Sequence, residues 1–208
     1  MKKLFFILFY LISAPTFAQW KSYYPESNES KKAVKEQNQE KDNLLFNQYL
    51  FNALKAKSLE NFDESLKFFQ KCIKLDDSQA VPFYESAVIN KEYGNFDLAT
   101  EQIKKAVAIE KDNRWFVIAY AEILFSNQDF KNAAIKYKKL IALEPGNEEF
   151  YFMLSDTYIY ANDFEKAIAV YDELEKHKGV DKVISMQKHK LYREINNIKG
   201  AIKELQSI

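Results

Sequence analysis

Asn61-Phe62-Asp63-Glu64-Ser65, Asn95-Phe96-Asp97-Leu98-Ala99, Asp129-Phe130-Lys131-Asn132-Ala133 and Asp163-Phe164-Glu165-Lys166-Ala167 stand 34 residues apart, with no insertion or deletion between them. Each closing small residue is followed four positions on by Phe69, Ile103, Tyr137 and Tyr171, and seven on by Cys72, Ala106, Leu140 and Leu174. Those offsets put the side chains on one helix face. Upstream, Tyr49, Ala53 and Ala56, then Phe83, Ala87 and Asn90, then Val117, Ala121 and Leu124, then Tyr151, Ser155 and Tyr158 fall at offsets of four and three. A second amphipathic helix therefore precedes the first in every period, and the chain reads as all-α.

A fixed period of 34 residues with this small, aromatic and small-or-large spacing resembles the tetratricopeptide repeat family. The resemblance implies a right-handed α-solenoid of stacked helix-turn-helix repeats over residues 44–208. The repeats would lie at about 46–79, 80–113, 114–147 and 148–181, with a partial fifth at 182–208. It also implies a continuous core and a concave groove, built by the first helices, that holds a protein or peptide partner. The glycine that the family favours at the close helix crossing is replaced by Ala53, Ala87, Ala121 and Ser155, and only Pro145 matches the junction proline. Asn61, Gly94-Asn95, Asn127 and Asn162 are expected to make the turns within pairs, since these residues tolerate tight backbone. In the fifth unit Ile198, Ala201, Ile202, Leu205 and Ile208 form an apolar stripe that a following helix would cover. Self-association or further repeats at that end are the corresponding expectations.

Ahead of the repeats stand Met1-Lys2-Lys3, an apolar run from Leu4 to Ile12, and Ser13-Ala14-Pro15-Thr16-Phe17-Ala18. A charged start, a short apolar stretch and small residues before the cut make a secretory signal, with cleavage expected after Ala18. A membrane-spanning anchor is the alternative, but it needs roughly 20 apolar residues, and Ser13, Pro15 and Thr16 end this run early. Residues 19–43 hold Lys, Glu, Asn, Gln and Ser with little aliphatic content beyond Val34, and are expected to be a flexible polar leader. Its Trp20, Tyr23 and Tyr24 either dock on a groove or are simply solvated.

Charge and composition exclude several classes of function. Lys+Arg and Asp+Glu both number 30, so the chain offers no basic footprint for nucleic acid. The single cysteine, Cys72, falls at a small core position and is expected to be buried and inert rather than nucleophilic. His177 and His189 stand apart, without Cys, Asp or Glu at metal-ligand spacing, so no metal or other cofactor is expected. The four glycines are isolated near helix junctions, and none belongs to a phosphate-cradling loop or a nucleophile elbow. No enzymatic constellation emerges.

The resemblance directs attention to the groove-lining stripe of the first helices. Advancing the register along them gives Leu50 and Leu54, then Tyr84 and Val88, then Trp115, Ile118, Glu122 and Phe125, then Phe152, Asp156 and Ile159. A stripe facing only water would be mostly polar, and contiguous exposed apolar surface marks an interaction site. Packing into the core is the alternative for the same residues. Glu122 and Asp156, one repeat apart, either receive a Lys or Arg of a ligand or are solvated charges. Family modules that clamp a terminal carboxylate use lysine and asparagine where Leu50, Leu54, Tyr84 and Val88 stand here, so an apolar ligand fits better. The expected function is a non-enzymatic protein-interaction scaffold, exported to the periplasm or envelope of a bacterium. The alternative is the N-terminal part of a longer repeat protein, whose repeats are structural or recruit substrate for a downstream domain.

Overall fold

The computed structural model describes residues 28–207, and these form ten α-helices with no strand among them. They are α1 (Asn28–Ser58), α2 (Phe62–Leu75), α3 (Ala80–Glu92), α4 (Phe96–Ile109), α5 (Arg114–Ser126), α6 (Phe130–Leu143), α7 (Glu148–Tyr160), α8 (Phe164–Lys178), α9 (Lys182–Glu194) and α10 (Ile198–Gln206). By packing, the described residues divide into two units, with the boundary between Leu45 and Phe46. The secretory signal and the cleavage site lie outside the described residues.

In the first unit, residues 28–44 are helical and exposed throughout. The stretch expected as a flexible polar leader is thus helical from Asn28 on. Burial is not what makes it helical: Lys, Glu, Gln and Ala are good helix formers, and Lys32 Nζ lies 3.8 Å from Glu36 Oε1 one turn on.

The second unit is a run of helix pairs whose starts keep the sequence period. The first helices α3, α5, α7 and α9 begin at Ala80, Arg114, Glu148 and Lys182, and the second helices at Phe62, Phe96, Phe130, Phe164 and Ile198, always 34 residues apart. Each helix from α2 on packs against the next in the chain. Within pairs the crossing is closest at Ala53/Ser65, Ala87/Ala99, Ala121/Ala133 and Ser155/Ala167, all with no exposed surface. Small side chains let the backbones approach there, and Ser65 Oγ donates to the Ala53 carbonyl at 2.9 Å. Phe69, Ile103, Tyr137 and Tyr171 fill the space beneath the next pair and are buried. Cys72 is buried as expected, and burial pushes its thiol up to about 11.

The turns within pairs repeat one geometry. Glu60, Gly94, Gln128, Asn162 and Asn196 have φ of 57°, 74°, 60°, 58° and 55°. At each, two backbone bonds close the helix, as where Gln128 N donates to Phe125 O at 2.9 Å and Asp129 N to Leu124 O at 2.8 Å. The left-handed residue is therefore Glu60 rather than Asn61, and Gln128 rather than Asn127. In the last three turns the asparagine or aspartate beside it caps the following helix: Asp129, Asp163 and Asn197 accept from the amides of Asn132, Lys166 and Gly200. Between pairs, Asn113, Asn147 and Asp181 cap the next first helix in the same way.

Candidate functional site

The caps and the small crossings hold the first helices of the second unit in register, so equivalent residues form rows across α1, α3, α5, α7 and α9. One row is Leu50, Tyr84, Ile118, Phe152 and Met186, apolar from end to end. Beside it runs Leu54, Val88, Glu122, Asp156 and Lys190, and beside that Lys57, Lys91, Phe125, Ile159 and Arg193. The three rows make one continuous face.

The expected groove residues divide between two environments on this face. Tyr84, Ile118, Phe125, Phe152 and Ile159 are half-buried and pack against the core. The Tyr84 ring stacks on Phe116 of the next pair, with centroids 4.8 Å apart. Phe152 meets the Tyr171 ring edge-on at 5.8 Å. Phe125 meets Phe130 at 5.5 Å and Tyr160 at 5.1 Å. Leu50 and Val88 are also half-buried. By contrast Leu54 is 40 % exposed and Trp115 59 % exposed. The Arg114 guanidinium covers one side of the Trp115 ring at 4.5 Å, and Arg114 itself reaches Glu144 at 3.1 Å. Each aromatic is thus anchored on its inner side and presents an outer edge.

Of the six charged residues in these rows, Lys57, Lys91 and Glu122 are in ion pairs. Lys57 Nζ lies 2.5 Å from Glu85 Oε2, and Lys91 Nζ lies 3.0 Å from Glu122 Oε2. Glu122 is therefore held by a lysine of the preceding pair and is not joined with Asp156 as a free acidic site. Asp156 makes no hydrogen bond or ion pair among the described residues. Partial burial raises its carboxyl above the ordinary range. Tyr137 lies beneath, its phenol pushed well up by burial and by the negative charges of Glu122 and Asp156.

Open clefts lie elsewhere. Clefts of about 390 Å³ and 380 Å³ open between α2 and α4, with Ile73, Phe83 and Lys105 lining both. Another of about 510 Å³ between α6 and α8 is lined by Ile141, Tyr151, Leu154 and His177. These mark gaps between second helices and bring together no reactive pair. His189 Nδ1 lies 2.9 Å from the Ala201 carbonyl, a bond across the crossing of α9 and α10. Among the described residues no group of His, Cys, Asp or Glu is placed to hold a metal ion. No described helix is long and apolar enough to cross a membrane.

One cluster escaped the sequence reading. Lys188, buried in α9, reaches Asp172 at 2.7 Å, Glu175 at 2.8 Å and Glu204 at 3.0 Å. The register carried a signal for it, since Lys188 stands where Ser86, Tyr120 and Leu154 are buried in earlier pairs. A charge there requires partners, and Glu175 and Glu204 supply them.

Two family models, each described as tetratricopeptide repeat, match residues 56–79 and 124–186. The chain carries tetratricopeptide repeats. Solved structures share the repeat arrangement at low identity. The crystal structure of MamA protein is 18 % identical with a TM-score of 0.66, over 78 % of this chain and 89 % of that one. MamA from Desulfovibrio magneticus RS-1 is 13 % identical with a TM-score of 0.64, over 78 % and 92 %. YrrB, described as a TPR protein with an unusual peptide-binding site, is 16 % identical with a TM-score of 0.63, over 85 % and 89 %. At such identities the likeness concerns the fold. No curated protein matches the chain at a significant level.

Proposed function

We propose that this tetratricopeptide repeat protein is a non-enzymatic scaffold of the bacterial cell envelope that holds a protein partner along its row of first helices. The observation that carries the reading is the unbroken apolar row Leu50, Tyr84, Ile118, Phe152 and Met186, flanked by exposed Leu54 and Trp115. Inner-face packing fixes these side chains before a partner arrives, so little rotamer freedom remains to be lost on binding. The description of YrrB as having a peptide-binding site is consistent with a partner of this kind. Export rests on the residues from Met1 to Ala18.

The test uses Leu54→Ser and Trp115→Ser together, because both side chains are exposed and their loss spares the core. Partners retained by the tagged full chain in producing cells should be lost from this variant and kept by Ile135→Ser, an exposed change on a second helix, with melting unchanged in both. Retention by the double variant overturns the groove. Mass spectrometry of the envelope product should find Gln19 at its N-terminus, and an intact Met1 on the isolated protein overturns the export reading.

A second reading is favoured by the last helix. Leu205 is 46 % exposed, whereas Phe69, Ile103, Tyr137 and Tyr171 at the same register are buried beneath a following pair. Ile198 and Ile202 extend the open stripe. A further helix, from this chain, a second copy or another protein, would cover it, and the repeats would then be the structural or substrate-recruiting part of a larger assembly.

A further inference from the structure

We infer that the partner segment carries a lysine or arginine that seats against Asp156, an inference that rests on the groove reading above. Three acids point the way by how they are used. Glu85 and Glu122 are each held by a lysine of the preceding first helix, at 2.5 Å and 3.0 Å. Along α1, α3 and α5 the face is thereby neutralised from within. On α7 the pattern stops. The residue of the preceding helix in the lysine register is Phe125, so no lysine reaches forward to Asp156. Lys190 and Arg193, the cations of the same rows on α9, form no ion pair with it. Glu149, two turns earlier on α7, is likewise without an ion pair.

The surroundings make that negative charge selective. Phe152 and Ile159 lie one turn before and one turn after Asp156 on the same helix, and both are half-buried apolar side chains. Asp156 itself is exposed, and partial desolvation raises its proton affinity. A cation brought there replaces hydration that is already incomplete, and its hydrogen bonds are charge-assisted. The aliphatic stem of a lysine or arginine would lie over Phe152 and Ile159 while its head reaches the carboxylate. A neutral side chain gains none of this, and an acidic one is repelled. The groove would then combine apolar anchoring along most of its length with one charge check near Asp156.

The probe is a library of random 12-residue peptides displayed on phage and selected on the full chain. Clones that bind the wild type and lose binding to the Leu54→Ser, Trp115→Ser variant are retained as groove binders. Lysine or arginine should be enriched among them. Replacing that residue by glutamine in a synthetic copy should weaken binding about tenfold on the wild type and less than twofold on Asp156→Asn, by fluorescence anisotropy. Groove binders without a basic residue, or binders indifferent to Asp156→Asn, overturn this inference and leave the groove standing. Clones that all bind the Leu54→Ser, Trp115→Ser variant as well as the wild type overturn the groove reading and this inference with it.

Discussion

Lys91 Nζ lies 3.0 Å from Glu122 Oε2, joining the first helix of one pair to the first helix of the next across the candidate groove. The pair is partly exposed, so solvent screening limits its worth, and its role is to remove a charge from the groove face more than to stabilise the fold. A double-mutant cycle of Lys91→Ala and Glu122→Ala in urea should return a coupling of about 0.2–1 kcal/mol. A coupling above about 2 kcal/mol would mean that the two groups are desolvated and belong to the core.

Gln128 stands in the left-handed region at φ 60°, where its equivalent one pair earlier is Gly94. A side chain there costs roughly 1–2 kcal/mol in backbone strain, against roughly 0.5–1 kcal/mol of added chain entropy for glycine. Gln128→Gly should therefore raise stability by about 0.5–1 kcal/mol, read as a higher melting temperature. A lower one would show that the turn is not left-handed.

Gly200 takes the opposite sign. A Cβ there would sit 2.6 Å from Cδ1 and 2.9 Å from Cγ of Tyr192, inside the contact distance of a ring anchored at its base. Alanine normally favours a helix over glycine by roughly 0.5–1 kcal/mol, but here overpacking of about 1–3 kcal/mol outweighs it. Gly200→Ala should destabilise the wild type and become neutral or stabilising in a Tyr192→Ala background, as measured by denaturant titration.

Much of this was legible in the sequence. The 34-residue period placed Ala53, Ala87, Ala121 and Ser155 opposite their partners, and all are fully buried. That worked because close crossings select residue size, which a sequence displays directly. Residue type points to Asn61 and Asn127 in the turns, whereas the left-handed positions beside them, Glu60 and Gln128, are the ones the register aligns with Gly94. The helix over residues 28–43 leaves no mark in the apolar pattern, because helix propensity needs no apolar side chains. The occupation of Glu122 by Lys91 depends on the distance between neighbouring helices, which no periodicity reports.

Burial alone would pull the Lys188 ammonium down, but the hydrogen bonds it donates to Asp172, Glu175 and Glu204 outweigh it and hold its pKa above the ordinary lysine value. A raised pKa gives stabilisation that is fully present below the unfolded value, about 10.4, and is lost as the pH climbs through the folded one. Stability of the last pair should then be flat in this contribution from about pH 6 to 9 and fall only in strong alkali. Lys188→Ala strands buried carboxylates at a cost of about 3 kcal/mol, so hydrogen exchange in α9 and α10 should accelerate ahead of α5 and α6. Unchanged protection of α9 and α10 would contradict the network.

The central claim is that a partner lies along the first-helix face, and site-specific photocrosslinking in the producing cell tests it most directly. A photoreactive residue is placed singly at exposed Leu54 and Trp115, at Ile135 and Leu143 on a second helix, and at Ile202 on the last helix. The expected result is one common adduct from Leu54 and Trp115, and none from Ile135 or Leu143. Adducts from Ile135, Leu143 or Ile202 with none from Leu54 and Trp115 would contradict the account.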